Sequence, residues 1–391
     1  MKLLYLVYFD INLAPMAGVK KKIFSQIESF EQLGVEIDLL FRSGDKLFLQ
    51  NRGELKKTFP VERGFSRYKR GIYKVLKKEQ LLKEYNYVYI RFPNTIDFNV
   101  LSLFKLIGRE KTILEVPTYP IDGEFKGQLL DLIKNKNYKE YILKKALFFL
   151  HDLLVKNLNV YVKRIVTFMP YEEIWGVKVI SIDNGVDVEK YKPLINKKLN
   201  TEQLVLTGVA NVSKWHGFDR IIYGLAEYYN NKGNDYNIIF NIVGDGPEID
   251  FLKKLVKEKK LKGKVIFHGP KFNNDLIEIY NRTNIAISSI GMHRIGILHG
   301  STIKTKEYCS LGLPFVYGYE EIKISKSFKY ALSIDANENP VSIDGIIEFY
   351  EGLKNEQFLE EKMHNFAKEE FSWPKQIKKI VDYMADESVE G

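Results

Sequence analysis

Asn237-Ile238-Ile239-Phe240-Asn241-Ile242-Val243-Gly244-Asp245-Gly246-Pro247 runs an apolar segment into a glycine turn. From Glu248 to Lys260 the sequence then changes to the spacing of an amphipathic helix. A short apolar run followed by a helix after such a turn predicts a buried strand and the crossover helix of a parallel sheet. In open α/β sheets ligands bind at the carboxyl ends of strands, where glycine lets the backbone approach closely. Gly244 and Gly246 are therefore candidate ligand contacts, although a plain tight connection accounts for the same four residues.

Working outward, the pattern repeats on both sides. Strand Gln203 to Val209 precedes helix Phe218 to Asn230, and strand Lys264 to His268 precedes helix Asn274 to Asn281. Strand Ile285 to Ser288 and a helix from Ser301 follow. The first half reads the same way, with strands Leu3 to Phe9, Glu36 to Phe41, Val88 to Arg91 and Thr112 to Val116, and a helix over Lys20 to Leu33. Leu143 to Val160 predicts a helix, Arg164 to Phe168 a strand, Tyr171 to Trp175 a short helix and Val177 to Ile182 a last strand. The turn residues Asp183-Asn184-Gly185-Val186-Asp187 and Lys192-Pro193 then divide the chain. The division gives an N-terminal α/β domain over 1–187, completed by about 370–391, and a C-terminal one over 188–369. Glu356 to Met384 is helical, with a kink signal at Phe371-Ser372-Trp373-Pro374.

With 391 residues, 45% of them hydrophobic and 28% charged, the chain has material for two cores of about 150 to 200 residues each. The single cysteine, Cys309, excludes an intramolecular disulfide and points to a cytoplasmic setting. The first apolar run is too short for a signal peptide, and Ala146 to Val155 falls short of the ~20 residues that span a bilayer. The net charge of +9 is uneven: residues 56–83 hold ten Lys and Arg against Glu62 and Glu79. This segment suits either a solvated helix face or an anionic membrane surface. No zinc-finger spacing or RNA-recognition motif supports a nucleic-acid partner.

A second concentration of chemistry lies at His299-Gly300-Ser301-Thr302-Ile303-Lys304-Thr305-Lys306-Glu307-Tyr308, followed by Gly312-Leu313-Pro314. Ser301 or Thr302 suits a helix N-cap, and the amides of a first helical turn favour a diphosphate. Lys304 can balance phosphate charge, and Glu307 can accept hydrogen bonds from ribose hydroxyls. The bland alternative for Glu307 is an ion pair with Lys304 or Lys306. Arg294, after strand Ile285 to Ser288, is a further candidate for phosphate or sugar. In the first half, Gly18 opens the helix after the first strand and suits a diphosphate or an acceptor. The loop from Glu115 to Glu124, stiffened by Pro117 and Pro120, offers Thr118, Tyr119, Asp122 and Glu124 to an acceptor, with Asp122 or Glu124 as a base.

Taken together these segments resemble the retaining glycosyltransferases of family 4. The resemblance rests on Ile182 to Asp187, Lys214-Trp215-His216-Gly217-Phe218-Asp219, Val243 to Pro247, Val265-Ile266-Phe267-His268-Gly269 and Glu307 to Pro314, in the family's order. It implies two Rossmann-like domains of the GT-B architecture facing across a cleft, with the last helix returning to the N-terminal domain. It also implies a nucleoside diphosphate sugar donor, with a UDP-sugar ahead of the others, and a metal-independent reaction with retention. The absence of an Asp-x-Asp sequence agrees with metal independence. The family's diphosphate-binding Arg and Lys fall on Asn211 and His216, leaving Lys214 as the nearest cation, and the first of its two glutamates falls on His299. His299 and Glu307 then become the candidates for the donor sugar and the ribose, with the amides of Gly300, Ser301 and Thr302 at the diphosphate.

The expected function is transfer of a sugar to a glycan or lipid-linked acceptor in bacterial surface polysaccharide assembly, in the cytoplasm at the inner face of the membrane. Two other readings remain open: a nucleotide-sugar-binding partner that has lost catalysis, motivated by Asn211, His216 and His299, and a sugar-nucleotide epimerase.

Overall fold

In a computed structural model the described residues are 1–13, 16–61, 65–195, 197, 199, 202–231, 236–321, 323–324 and 328–390. Within these, the side chains of 17, 65–67, 124 and 387–390 lie outside the description. The chain forms two compact units: Met1–Asp183 with Trp373–Gly391, and Asn184–Ser372.

The first unit runs β1 (Lys2–Asp10), α1 (Ala17–Gln32), β2 (Glu36–Ser43), β3 (Lys46–Asn51), β4 (Glu54–Pro60), α2 (Phe65–Lys78), β5 (Tyr87–Arg91), α3 (Phe98–Ile107) and β6 (Thr112–Val116). It continues with α4 (Asp122–Lys134), α5 (Tyr138–Leu154), β7 (Arg164–Thr167), β8 (Glu173–Ile174) and β9 (Val177–Ser181). The strands form one sheet in the order β4-β3-β2-β1-β5-β6-β7-β9-β8. Leu3 to Tyr8 are all buried, because helices cover both faces of this parallel centre, which gives β1 its unbroken apolar run. Its register aligns Leu3 to Leu6 with Tyr87 to Ile90 on one side and with Ile37 to Leu40 on the other.

The second unit holds β10 (Gln203–Val209), α6 (Phe218–Asn230), β11 (Asn237–Val243), α7 (Ile249–Glu258), β12 (Val265–Gly269), α8 (Asn273–Tyr280) and β13 (Ile285–Ile287). After these come β14 (His299–Gly300), α9 (Ile303–Leu311), β15 (Phe315–Tyr317), β16 (Glu320–Glu321), β17 (Ala331–Ser333), α10 (Ile343–Leu353) and α11 (Leu359–Phe371). Six parallel strands lie in the order β12-β11-β10-β13-β15-β17, and β14 pairs separately with β16. After Ser372 the chain rejoins the first unit as α12 (Trp373–Glu390). Trp373, Ile377, Ile380 and Met384 recur at helical spacing along α12, all buried in the core shared with α1.

The α/β class is that predicted, three local readings change, and one hairpin is added. Tyr171 to Trp175 is not a helix: Glu173–Ile174 pairs antiparallel with Val177 and Lys178, turning through Trp175 at φ 51° and Gly176 at φ 71°. Two successive positive φ values make the tight turn whose twist suits a hairpin. Residues 46–60 form an antiparallel hairpin at the sheet edge. The helix placed at Ser301 begins at Ile303. Finally, Lys69 does not belong to a solvated basic face. It is buried, 3.2 Å from Asp97, and donates to the Thr95 carbonyl at 2.8 Å.

Candidate functional site

In the second unit, the loops leaving β10, β11 and β13 at their carboxyl ends are joined through backbone hydrogen bonds. Ala210 N–H donates to the Val243 carbonyl at 2.9 Å, and Val212 N–H to Asp245 at 2.6 Å. Ile290 and Gly291 N–H donate to His216 and Trp215, both at 3.1 Å. Gly244 and Gly246 sit where the first two loops touch. A Cβ on Gly244 would stand 1.9 Å from the Ala210 oxygen, and one on Gly246 2.4 Å from that of Val212. Their φ values of +122° and +149° also disfavour other residues. The packing of two loops thus requires both glycines.

Helix α9 starts beside these loops. Of its nine residues, Ile303 is exposed and Lys304 and Glu307 are half-buried, while the other six are buried. Lys304 and Glu307 lie three apart and share a face. Lys306 is not available as a surface partner for Glu307. It is fully buried and bound to Glu321 at 2.5 Å. Glu321 also accepts from Thr305 Oγ1 at 2.9 Å and from the Thr302 amide at 3.4 Å. Thr302 occupies the N-cap position, but its hydroxyl meets Tyr319 Oη at 2.7 Å and does not cap the helix. Ser301 is held by Asn184, whose Nδ2 donates to the Ser301 carbonyl at 2.6 Å. The buried Gly300 and the exposed His299 form β14, and His299 Nδ1 lies 2.8 Å from Glu320 Oε2.

Charge on the β10 loop is sparse. Asn211 and Lys214 are exposed. The Ser213 amide donates to His216 Nδ1 at 3.0 Å, which leaves the proton of the neutral ring on Nε2. Burial lowers the His216 pKa to about 4, partly opposed by the Ser213 carbonyl, 3.3 Å from Nδ1 and able to accept from the protonated ring, and reinforced by the charge of Lys304. His216 is therefore a neutral donor at pH 7, close enough to Lys304 to feel its field. Arg294, expected at the donor, is committed elsewhere. Its Nε and Nη2 bind Glu338, Nη1 binds the Lys214 carbonyl and Asp219 Oδ1, and Nη2 also binds Asp219 Oδ2 at 2.8 Å. All five guanidinium donors are used within the protein, so Arg294 clamps the loops together.

In the first unit a pocket of about 280 Å³ opens at the carboxyl ends of β1, β5 and β6, lined by Phe9, Val19, Arg91, Asn94, Pro117 and Thr118. Beneath it the fully buried Glu115 binds Arg91 Nη1 and accepts from Tyr89 Oη at 2.8 Å and Gln26 Nε2 at 3.1 Å. Burial pulls its pKa up, but Arg91, Lys22 and these hydrogen bonds prevail and hold it below the usual carboxylate range. Burial lowers Lys22 to about 7. Thr118 is exposed at the pocket, whereas Tyr119 stacks edge-on against Tyr171 and Trp175 with ring centres 5.0 and 5.7 Å away. Asp122 is exposed at the start of α4, and the Glu124 side chain lies outside the described residues. Gly18 is exposed in the first turn of α1, where a Cβ would meet nothing within 4 Å.

Sequence reasoning did not find Glu320, Glu321, Asn184 as the tether of Ser301, or the Arg91–Glu115 pair. The first two make up β16, a strand of two residues too short to show a period, and the last two depend on contacts between distant segments. Asn184 was visible only as part of a turn.

Among solved structures, a glycosyltransferase from Rickettsia africae ESF-5 superposes with a TM-score of 0.65 at 14% identity, covering 98% of each chain. WaaG, a glycosyltransferase involved in lipopolysaccharide biosynthesis, gives 0.58 at 13% identity over 97% of this chain and 99% of its own. Anabaena HepE in complex with UDP gives 0.58 at 13% identity over 99% and 100%. The fold is that of the GT-B glycosyltransferases. Residues 192–318 match the family model described as glycosyl transferases group 1, so this match falls on the unit that carries α9 and the three loops. A search of curated proteins gave no match.

Proposed function

We propose that this chain is a retaining glycosyltransferase of the family 4 type. It would move a sugar from a nucleoside diphosphate sugar, a UDP-sugar first, to a glycan or lipid-linked acceptor in surface polysaccharide assembly on the cytoplasmic side of the membrane. The observation that carries the reading is the surface face of α9, where Lys304 and Glu307, with the exposed Ile303, emerge beside the β10 loop from a helix whose other six residues are buried. The UDP bound by HepE and the involvement of WaaG in lipopolysaccharide biosynthesis, two proteins similar to this chain in fold, support these choices of donor and acceptor.

In this scheme Glu307 accepts the ribose hydroxyls. The diphosphate lies against the amides of Gly300 to Thr302, with Lys304, exposed Lys214 and the Nε2–H of His216 donating to it. These groups stabilise the charge that builds on the leaving phosphate and need no reorganisation to do so. The bond from the anomeric carbon to the phosphate oxygen breaks as the acceptor oxygen bonds to that carbon from the same face. The acceptor proton passes to the departing phosphate oxygen. No protein nucleophile or metal enters these steps. His299 contacts a hydroxyl of the donor sugar, and the pocket of Arg91 and Thr118 is assigned to the acceptor.

One observation favours a second reading, a partner that binds the nucleotide sugar without transferring it. The β10 loop offers a neutral His216 and Asn211, and Arg294 is fully bound. Incubation with nucleoside diphosphate sugars, following nucleoside diphosphate release with and without glycan acceptors, decides between them. Release supports the transferase, whereas saturable binding without release supports the partner.

A further inference from the structure

The hairpin of α4 and α5 is apolar on two sides. Its inner side is core, with Phe125 and Phe148 stacked 3.8 Å apart and both buried. Its outer side exposes Tyr138, Ile142, Phe149 and Leu153, with Ile142 at 66% and Phe149 at 65% of full exposure. Intervals of four, seven and four residues put these on one stripe of α5. Leu130 and Ile133 of α4 are exposed as well. Large apolar side chains gathered in this way mark an interaction surface, whereas scattered ones do not.

The charges around the stripe identify the partner. Between residues 126 and 156 six lysines are exposed, Lys126, Lys134, Lys136, Lys139, Lys145 and Lys156, against three acids, Asp131, Glu140 and Asp152. Lys145 stands within the stripe itself, between Ile142 and Phe149. A second copy of the chain would bring two basic faces together. An anionic bilayer receives both properties at once, since its acyl boundary takes the apolar stripe and its headgroups take the lysines. No helix of the described residues is long and apolar enough to cross a membrane, so α5 would lie in the interface plane.

We infer that the outer face of the α4–α5 hairpin seats the protein on an anionic lipid surface. Helix α2, the basic segment singled out from sequence, is a poorer surface. Lys69 is buried, and among the described side chains of α2 no large apolar one is exposed. The inference does not require the proposed transfer activity, and its test uses no sugar donor.

Flotation of the full chain at low ionic strength tests it, using vesicles of phosphatidylglycerol and phosphatidylcholine in equal parts and vesicles of phosphatidylcholine alone. Wild type should float only with the anionic vesicles. Two variants, Ile142→Ser with Phe149→Ser and Leu153→Ser, and Lys134→Gln with Lys139→Gln, Lys145→Gln and Lys156→Gln, should each lose at least tenfold in bound fraction. Their melting temperatures should stay near wild type, because every altered side chain is exposed. Arg70→Gln with Lys74→Gln and Lys78→Gln should float nearly as wild type does. The proposal is overturned if wild type ignores anionic vesicles, if both hairpin variants float normally, or if only the α2 variant loses binding. A wild-type dimer that the serine variant converts to monomer in sedimentation velocity would overturn it too, by assigning the face to a second copy.

Discussion

His299 and Glu320 stand opposite each other in the parallel pair of β14 and β16, with Nδ1 2.8 Å from the carboxylate. A carboxylate accepts and never donates, so Nδ1 carries the proton toward Glu320, and Nε2 is the ring nitrogen left for a substrate. Glu320 thereby fixes the orientation of the His299 ring. His299→Ala should bind nucleoside diphosphate as wild type does yet lose at least about tenfold in turnover, near 1.4 kcal/mol, with the donor KM changed less. Glu320→Gln should lower turnover in the same direction while leaving nucleoside diphosphate affinity alone. Steady-state kinetics beside calorimetry check both, and normal turnover by His299→Ala removes the sugar contact.

Arg294 ties Asp219, Glu338 and the Lys214 carbonyl together and has no donor left for a phosphate. Arg294→Gln should therefore cost stability, about 2 kcal/mol for the loss of charge-assisted hydrogen bonds at a partly exposed site. Nucleoside diphosphate should still raise the melting temperature of the variant by as much as it raises that of wild type. A normal melting temperature with lost ligand response would make Arg294 a ligand after all.

Buried His151 and half-buried His216 set an acid limb. Burial lowers both His151 and His216 to about 4 from an ordinary 6.5, and for His151 the charge of Lys69 adds to it. The native state therefore keeps these rings neutral while the unfolded chain takes up protons. Their contribution is complete above pH 6.5 and is lost as pH falls toward 4. For His151, which accepts from the Ile96 amide at 3.0 Å amid Phe92, Phe125 and Trp175, the loss is on the order of 3 kcal/mol. Urea unfolding of His151→Phe should show lower stability at neutral pH but a flatter decline over that window. A decline as steep as wild type would assign the acid limb to other groups.

Much of the fold could be read from local pattern, because buried parallel strands write themselves as apolar runs. Phe218–Asn230 and Gln203–Val209 have the bounds their spacing predicts. The β8 hairpin escaped because a strand of two residues has no period, and only Trp175-Gly176 signals its turn. The site was less legible for a different reason. Lys304 and Glu307 share a helix face, which spacing reveals. Glu320 opposite His299, and Asp219 and Glu338 around Arg294, are brought in from 21, 75 and 44 residues away, where no local rule reaches. Gly244 and Gly246 were read as allowing ligand approach, and the structure adds that the loop of Ala210 and Val212 requires them.

The central claim is that the C-terminal unit holds a nucleoside diphosphate through Glu307, and calorimetric titration of UDP into the full chain tests it most directly. Wild type should bind saturably. Glu307→Ala should lose at least about tenfold in affinity, near 1.4 kcal/mol, with little change in melting temperature because Glu307 sits on the only accessible face of α9. If UDP gives no heat, the other nucleoside diphosphates are titrated in turn. Absence of saturable binding by any of them, or equal affinity in wild type and a folded Glu307→Ala, would contradict the account.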